Sequence, residues 1–451
     1  MGLTLIRKSN GREPVQDPTL ALVLAGGAVS GGAFKVGGLK ALNDFLVGRK
    51  VTDMDIYVGL SAGAILGTSL AAGVSPDEMV RVLLGTSSRV DTLRGIDYYN
   101  PNLREFMTRP ARFSWEVGTW LPSIALDFGT RLPGLPSALR RPVRAFMRRP
   151  SYSGFEAVVT RMVEHVAPRR SLPSITNHIP SGLFDNAGIE RWVRSSLSRI
   201  RMPNDFRDFA RKTGNRLYLT ACDLDTAERV IFGTDEHCDL SISEAVQASG
   251  ALPLFYKPAR LHGVDYVDGG VRHTANIDIA IEKGADLIIC YNPFRPFLNR
   301  EDVDGDEPSF AEGAHLAERG MKAVVNQVFR TLLHSRLELG IQRYLADERF
   351  QGDIVLLEPR EGDADAFAAN PMAFWRRSQQ VKHGFESVRH SLETHFDELQ
   401  PLFARYGITL DRAAARRRAD RARMAHGWEA EGPESADADS ARRAPLRLVA
   451  S

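Results

Sequence analysis

A serine lies in the segment Gly59-Leu60-Ser61-Ala62-Gly63, which has the G-x-S-x-G spacing of a nucleophile turn. An apolar segment at 55–58 precedes it, and small and apolar residues follow it at 62–72. We therefore expect a buried strand, a sharp turn and a helix, with the Ser61 hydroxyl presented at the strand's carboxyl end. The helix amino terminus offers N–H groups to a developing anion. The pattern also occurs by chance, but this context favours acyl-transfer chemistry on Ser61.

A glycine-rich segment at 25–33 follows an apolar strand at 19–24 and precedes a helix expected over 34–46. It is open to three interpretations, namely a dinucleotide-binding loop, a plain turn or an oxyanion hole. Neither Gly26 nor Gly27 begins a G-x-G-x-x-G pattern, which counts against the first. Because the loop lies on the strand before the serine strand, we favour the third, with the N–H groups of Gly26, Gly27 and Ala28 as donors.

A second polar segment, Asp268-Gly269-Gly270, ends the apolar strand at 264–268. An aspartate before glycine is common in β-turns, so a purely structural role is one interpretation. A serine nucleophile also needs a base, and few polar residues stand so clearly at the end of an apolar strand. Asp268 is therefore our candidate for that base.

Taken in order, these segments resemble the patatin-like phospholipase family over about residues 20–291. The resemblance implies a Ser–Asp dyad in which Ser61 attacks an ester carbonyl and Asp268 takes its proton, without a histidine, metal or cofactor. It also implies a phospholipid or lysophospholipid substrate. Four segments carry the resemblance, in the family's order. They are the oxyanion segment Leu-Val-Leu-Ala-Gly-Gly at 22–27 with the helix at 37–42, the nucleophile turn from Gly59 to Gly63, the middle of the domain at 220–225 and 245–253, and the aspartate motif from Asp268 to Gly270.

The glycine loop departs from the family pattern, because Ala28 stands at the third glycine, no basic residue follows, and the loop is one residue longer. Three alternatives remain at this point. A neutral-lipid or general carboxylesterase would use the same chemistry. A Ser–Asp–His triad would use His383 or His390 as base. A non-catalytic lipid-binding module would need neither.

The elements that position these residues predict an α/β fold with three layers and a largely parallel central sheet. We expect a basic helical insertion and a C-terminal helical extension. The predicted parts are an N-terminal extension at 1–18, a catalytic domain at 19–295 with the insertion at 96–180, a mainly helical region at 296–410 and a disordered charged tail at 411–451.

The insertion is rich in prolines, aromatic residues and arginines, and it is either a solvated insertion or a cap that docks on anionic headgroups. Single-stranded nucleic acid could use a similar surface, but we expect no nucleic-acid partner. The candidate membrane contacts are Arg140, Arg141, Arg144, Arg148 and Arg149.

Composition excludes few classes: 43% hydrophobic and 25% charged residues with a net charge of +2 are ordinary for a globular protein. No apolar segment has the length of a membrane span, and the amino terminus lacks a signal-peptide core. Three widely spaced cysteines, Cys222, Cys238 and Cys290, fit a reducing compartment. We expect a cytoplasmic protein that can bind the inner face of the membrane peripherally. The sequence leaves the oligomeric state open.

Overall fold

Fourteen strands are present in the computed structural model, which describes residues 2–9, 13–131, 135–166, 175–236, 239–299, 315–361, 363–426 and 447–450. In chain order they are β1 (Leu3–Arg7), β2 (Leu20–Leu24), β3 (Leu46–Val47), β4 (Ile56–Leu60), β5 (Gly182–Phe184), β6 (Arg216–Asp223), β7 (Arg229–Gly233), β8 (Leu254–Tyr256), β9 (Ala259–Leu261), β10 (Val264–Asp268), β11 (Leu287–Tyr291), β12 (Asp353–Leu357), β13 (Thr409–Leu410) and β14 (Arg447–Ala450).

Ten of these strands form the central sheet in the order β14-β1-β12-β11-β2-β4-β6-β10-β9, with β7 paired to β6. The five strands from β12 to β6 run parallel to one another. Antiparallel pairs join β1 to β12 and β10 to β6. The predicted largely parallel sheet is confirmed, and β2 and β4 at its centre end beside each other at their carboxyl ends.

Sixteen α-helices accompany the sheet. They are α1 (Ala28–Phe45), α2 (Ala62–Ala71), α3 (Pro76–Leu84), α4 (Gly95–Tyr98), α5 (Leu103–Arg131), α6 (Leu135–Arg148), α7 (Tyr152–Val166), α8 (Ala187–Arg199), α9 (Phe206–Thr213), α10 (Ile242–Ser249), α11 (Ile277–Glu282), α12 (Met321–Ala346), α13 (Ala364–Ala368), α14 (Arg377–Thr394), α15 (Phe396–Arg405) and α16 (Arg412–His426), counted over the described residues.

The central strands are buried at almost every position because each face of the sheet is covered by its own hydrophobic core. In β2, Leu22 and Leu24 belong to one core, and Ala21 and Val23 belong to the other. The first core also contains residues of α1, α2, α10 and α14, whereas the second contains residues of α11 and α12. The expected three-layer arrangement is therefore present.

The two ends of the chain differ from the sequence-based expectation. The segment expected as an extension at 1–18 contains β1, whose apolar residues are buried beside β12. The region at 296–410 contains α12 to α15, and it supplies β12, at the strand expected over 353–357, to the central sheet. In the tail expected to be disordered, α16 and β14 are described, and residues 427–446 lie outside the described part.

The chain folds as two compact units, of which the first comprises residues 1–100 and 184–451. The second runs from Pro101 to Leu183 and contains α5, α6 and α7; the insertion was expected at 96–180. Within the second unit, Phe146 of α6 packs on Phe155 of α7 with the ring centroids 6.3 Å apart. Among the described helices of both units, none is long and apolar enough to cross a membrane.

Candidate active site

Ser61 occupies the predicted turn between β4 and α2, and its backbone has φ 55° and ψ −124°. A positive φ is unfavourable for a residue with a side chain, so surrounding contacts must hold it. The Ser61 N–H donates a 2.8 Å hydrogen bond to the Ser249 hydroxyl of α10. Gly63 packs directly on β2, where a Cβ would overlap the carbonyl oxygen of Leu24. Gly59 lies within β4 on the other side of the turn.

Asp268 ends β10, and the sheet register brings it level with Ser61. Leu60 pairs with Thr220 of β6, and Asp268 pairs with Ala221, the next residue of the same strand. The Ser61 hydroxyl lies close enough to the Asp268 carboxylate to lower the pKa of that carboxyl as a hydrogen-bond partner. The carboxylate also accepts a 2.9 Å hydrogen bond from the N–H of Gly270, in the short turn that Gly269 begins.

Both members of this pair are buried, with Ser61 5% and Asp268 4% exposed. Burial raises the pKa of the Asp268 carboxyl to about 6, although the Ser61 hydrogen bond, the Gly270 N–H and the Lys35 charge each lower it. Desolvation disfavours the charged carboxylate, and the three contacts offset only part of that penalty. A base with a pKa near neutrality is well matched to accepting a proton from a serine.

The glycine loop is shorter than predicted, because α1 begins at Ala28 instead of Phe34 and includes Gly31 and Gly32. The N–H groups of Val29 and Ser30 donate to the carbonyl of Pro371, which satisfies part of the first helical turn.

Three consecutive N–H groups stay available in that loop. Within the described residues, those of Gly26, Gly27 and Ala28 have no backbone acceptor. Gly26 lies beside the nucleophile, since a Cβ on it would be 3.9 Å from Ser61 Oγ. Ala28 has a φ of 50°, again unusual for a residue with a side chain. The arrangement can offer donors to an anion that forms near Ser61.

Lys35 of α1 fixes the glycine loop through hydrogen bonds to its carbonyl groups. Its side chain is fully buried, and Nζ donates to the carbonyl oxygens of Ala25 and Gly26, the latter at 3.0 Å. Binding these carbonyls from the helix side leaves the N–H groups of the loop free to face the other way. Burial lowers the pKa of the Lys35 ammonium to about 7, while the charge of Asp268 raises it.

Sequence reasoning missed both Lys35 and Ser249. The family pattern directs attention to a basic residue within the loop, whereas this lysine lies about two turns after the start of α1. Ser249 lies in the segment 245–253 that carries part of the resemblance, and the order of residues gives no sign that its hydroxyl accepts the nucleophile's N–H.

The histidines of the triad alternative make other contacts. His383 Nε2 lies 2.9 Å from both carboxylate oxygens of Asp363, and its ring packs on Phe34. His390 contacts Thr394. The two described cysteines, Cys222 and Cys290, are buried free thiols. The arginines at 140, 141, 144, 148 and 149 are all exposed on the second unit.

An apolar cavity lies alongside the helix that follows Ser61. Ala62 and Leu66 of α2 line it together with Gly32 and Val36 of α1, and Trp192 of α8. A predominantly apolar lining next to a few polar groups is typical of sites that bind small molecules. This lining is suited to a hydrocarbon chain.

Comparison with known proteins gives a family match over more than half of the chain. The sequence model described as Patatin-like phospholipase matches residues 22–281. A curated relative, the "Probable lipid hydrolase 463L" of Invertebrate iridescent virus 6, is 28% identical over 103 residues. That match covers 22% of this chain and 36% of the viral protein.

Two solved structures are similar at low identity. VipD from Legionella pneumophila has a TM-score of 0.35 and 16% identity, and the match covers 85% of this chain and 68% of VipD. Human GIVD cytosolic phospholipase A2 in complex with methyl gamma-linolenyl fluorophosphonate has a TM-score of 0.30 and 10% identity. That match covers 86% of this chain and 59% of the human protein.

Proposed function

This chain belongs to the patatin-like phospholipase family, and from that premise we propose that it is a serine lipid acyl hydrolase. Its substrates are the carboxylic esters of phospholipids or lysophospholipids. The observation that carries the proposal is the buried pair of Ser61 and Asp268, next to three N–H groups without a backbone acceptor.

The reaction proceeds through an acyl-enzyme. Ser61 Oγ attacks the ester carbonyl while its proton passes to the Asp268 carboxylate. The N–H groups of Gly26, Gly27 and Ala28 stabilise the tetrahedral oxyanion, and one such donor contributes about 3–4 kcal/mol in other acyl transferases. The intermediate collapses as the alcohol leaves with the proton from Asp268. Water then attacks the acyl-enzyme while Asp268 takes its proton, and that proton returns to Ser61 as the fatty acid leaves.

The apolar cavity beside α2 supports a lipid acyl chain as the part of the substrate that is bound. Ala62, which lines this cavity, is the residue that follows Ser61 in the chain, so an acyl chain bound there would lie next to the nucleophile. A neutral-lipid or general carboxylesterase would share the chemistry and the cavity, so headgroup preference must be measured. The exposed arginines of α6 support peripheral contact with an anionic membrane.

The decisive test compares Ser61→Ala and Asp268→Asn with the wild type on two substrates, a soluble short-chain nitrophenyl ester and labelled phosphatidylcholine. We expect both variants to lose hydrolysis of both substrates, because each removes one half of the dyad. Retained activity in Asp268→Asn would reject the dyad. His383→Gln is the matched control and should stay active; its loss with a correct fold would favour a triad.

A further inference from the structure

Helix α12 has a large apolar surface on the side that faces away from the hydrophobic core, where an ordinary surface helix is polar. Its buried residues are Arg330, Leu337 and Ile341, which lie on one side of the helix. The opposite side carries seven exposed large apolar side chains within an arc of about 140°. They define what we call the α12 outer face, and they are Met321, Val324, Val325, Val328, Phe329, Leu332 and Leu339.

This exposure is too extensive to be incidental. Met321 is 82% and Leu339 66% exposed, and the others are between 41% and 55% exposed. Single apolar residues are common on protein surfaces, whereas a contiguous stripe of this length marks a surface that binds something. On the other side of the helix, an arginine occupies a position where an apolar residue would normally pack.

The exposed charged residues of α12 have one sign. They are Lys322, Arg336 and Arg343. The acidic residue of this helix, Glu338, is only partly exposed and lies 3.8 Å from the His334 ring nitrogen Nδ1. A surface that combines apolar side chains with cations is suited to an interface of hydrocarbon and anionic headgroups.

Helix α12 contacts both loops of the candidate active site. Arg330 donates to the carbonyl of Pro293 at 3.2 Å, and Pro293 is the residue that packs against Gly27. Arg336 donates to the carbonyl of Val271 at 2.6 Å, three residues after Asp268. The outer face is therefore presented by a helix that also braces the loops around Ser61.

We propose that the α12 outer face inserts into the lipid surface and so brings the mouth of the site to its substrate. This inference rests on the proposed function, since only an enzyme acting on lipid needs its site held at a bilayer. The occupant is the bilayer because the face combines apolar side chains with exposed cations and adjoins the loops that would receive a lipid ester.

The test uses the full chain and the double variant Phe329→Gln with Leu332→Gln, which keeps helix-forming residues. Vesicles of phosphatidylcholine with a phosphatidylglycerol fraction serve as the probe. We expect vesicle partitioning and hydrolysis of vesicle lipid to fall by about tenfold or more. Turnover of the soluble nitrophenyl ester should be unchanged, which shows that the variant is folded. The control is Val47→Gln with Ile96→Gln, which alters exposed apolar residues elsewhere and should bind vesicles as the wild type does.

Equal vesicle binding by wild type and double variant would overturn the proposal, as would a wild type that does not bind these vesicles. The oligomeric state, measured by sedimentation, tests a different occupant. If the wild type were a dimer and the double variant a monomer, the face would bind a second copy of the chain, and the lipid surface would be rejected. If the wild type hydrolyses neither ester, the proposed function fails. The weakened vesicle binding of the double variant would still support the inference.

Discussion

Asp268 illustrates a conflict between stability and activity at a single residue. A base must be ionised to accept the proton of Ser61, but burial raises the pKa of the Asp268 carboxyl to about 6. Folding therefore opposes the ionisation that the proposed reaction requires. At neutral pH the carboxylate is still largely ionised, so the conflict affects stability more than it affects the population of the active form.

The first prediction concerns the pH dependence that follows. We expect kcat/KM on the soluble ester to fall about tenfold per pH unit below about pH 6, as Asp268 becomes protonated. The folded pKa exceeds the unfolded value of about 3.9, so the free energy of unfolding decreases as the pH rises from about 4 to 6. Asp268→Asn should thus be inactive but more stable at pH 8, by about 1–3 kcal/mol in denaturant unfolding.

A matched control lies three residues earlier on the same strand. Asp265 pairs with Arg260 at the surface, which lowers the pKa of its carboxyl. Asp265→Asn should therefore give no gain in stability at pH 8. If Asp268→Asn were less stable than the wild type at pH 8, burial of the Asp268 carboxylate would not destabilise the folded protein, and the prediction would be wrong.

At the residue scale, the sequence predicts groups that belong to compact motifs and misses those that act across the fold. Ser61 and Asp268 each stand in a short glycine-flanked segment, and the structure brings them together. Ser249 is 188 residues from Ser61, so only the packing of α10 reveals their hydrogen bond. The pKa shift of Asp268 likewise comes from burial, which no local pattern specifies.

At the scale of elements, α1 both bounds the glycine loop and fixes it. This helix has two buried lysines. Lys35 donates hydrogen bonds to carbonyl groups of the loop, whereas Lys40 forms ion pairs with Asp44 and Asp77. The loop's orientation thus depends on a side chain of the following helix. Its ammonium also lies close enough to Asp268 to lower the pKa of that carboxyl.

We expect Lys35→Met to lower kcat by about tenfold to a thousandfold with little change in KM, because the loop donors lose their orientation. Loss of the nearby charge should also move the acid limb of the kcat/KM profile to higher pH. A residue that only stabilises the fold would not shift this limb. Lys40→Met is the control, and it should lower the unfolding midpoint while leaving the limb in place. An unshifted limb in Lys35→Met would contradict the assignment.

Elements with strong local patterns are predictable, whereas those defined by pairing are not. The buried strands β2 and β4 and the capped helix α10 follow from apolar segments and from the capping box of Ser241 and Glu244. β1 is a short apolar segment near the chain's beginning, and only its pairing with β12 identifies it as part of the sheet. The predicted start of α1 is wrong because glycines favour loops, whereas here they lie inside the first helical turns.

At the scale of the whole molecule, two surfaces of different chemistry could bind a membrane. The α12 outer face belongs to the first unit and is mainly apolar. The second unit carries α6, whose segment at 135–149 contains five exposed arginines and no acidic residue. Apolar insertion depends weakly on salt, while attraction to anionic headgroups weakens as ionic strength rises. Salt dependence therefore separates the two contributions.

The last prediction neutralises the basic surface by changing Arg140, Arg141, Arg144, Arg148 and Arg149 to glutamine. Each arginine near an anionic surface contributes about 1 kcal/mol, so binding to phosphatidylglycerol-containing vesicles should fall by several orders of magnitude at low salt. Binding to pure phosphatidylcholine and turnover of the soluble ester should not change. The control removes the same charge from α8 and α9, and its vesicle binding should stay near that of the wild type. The control residues are Arg191, Arg194, Arg199, Arg207 and Arg211. If both variants lost vesicle binding equally, the net charge of the protein, and not this surface, would attract the membrane.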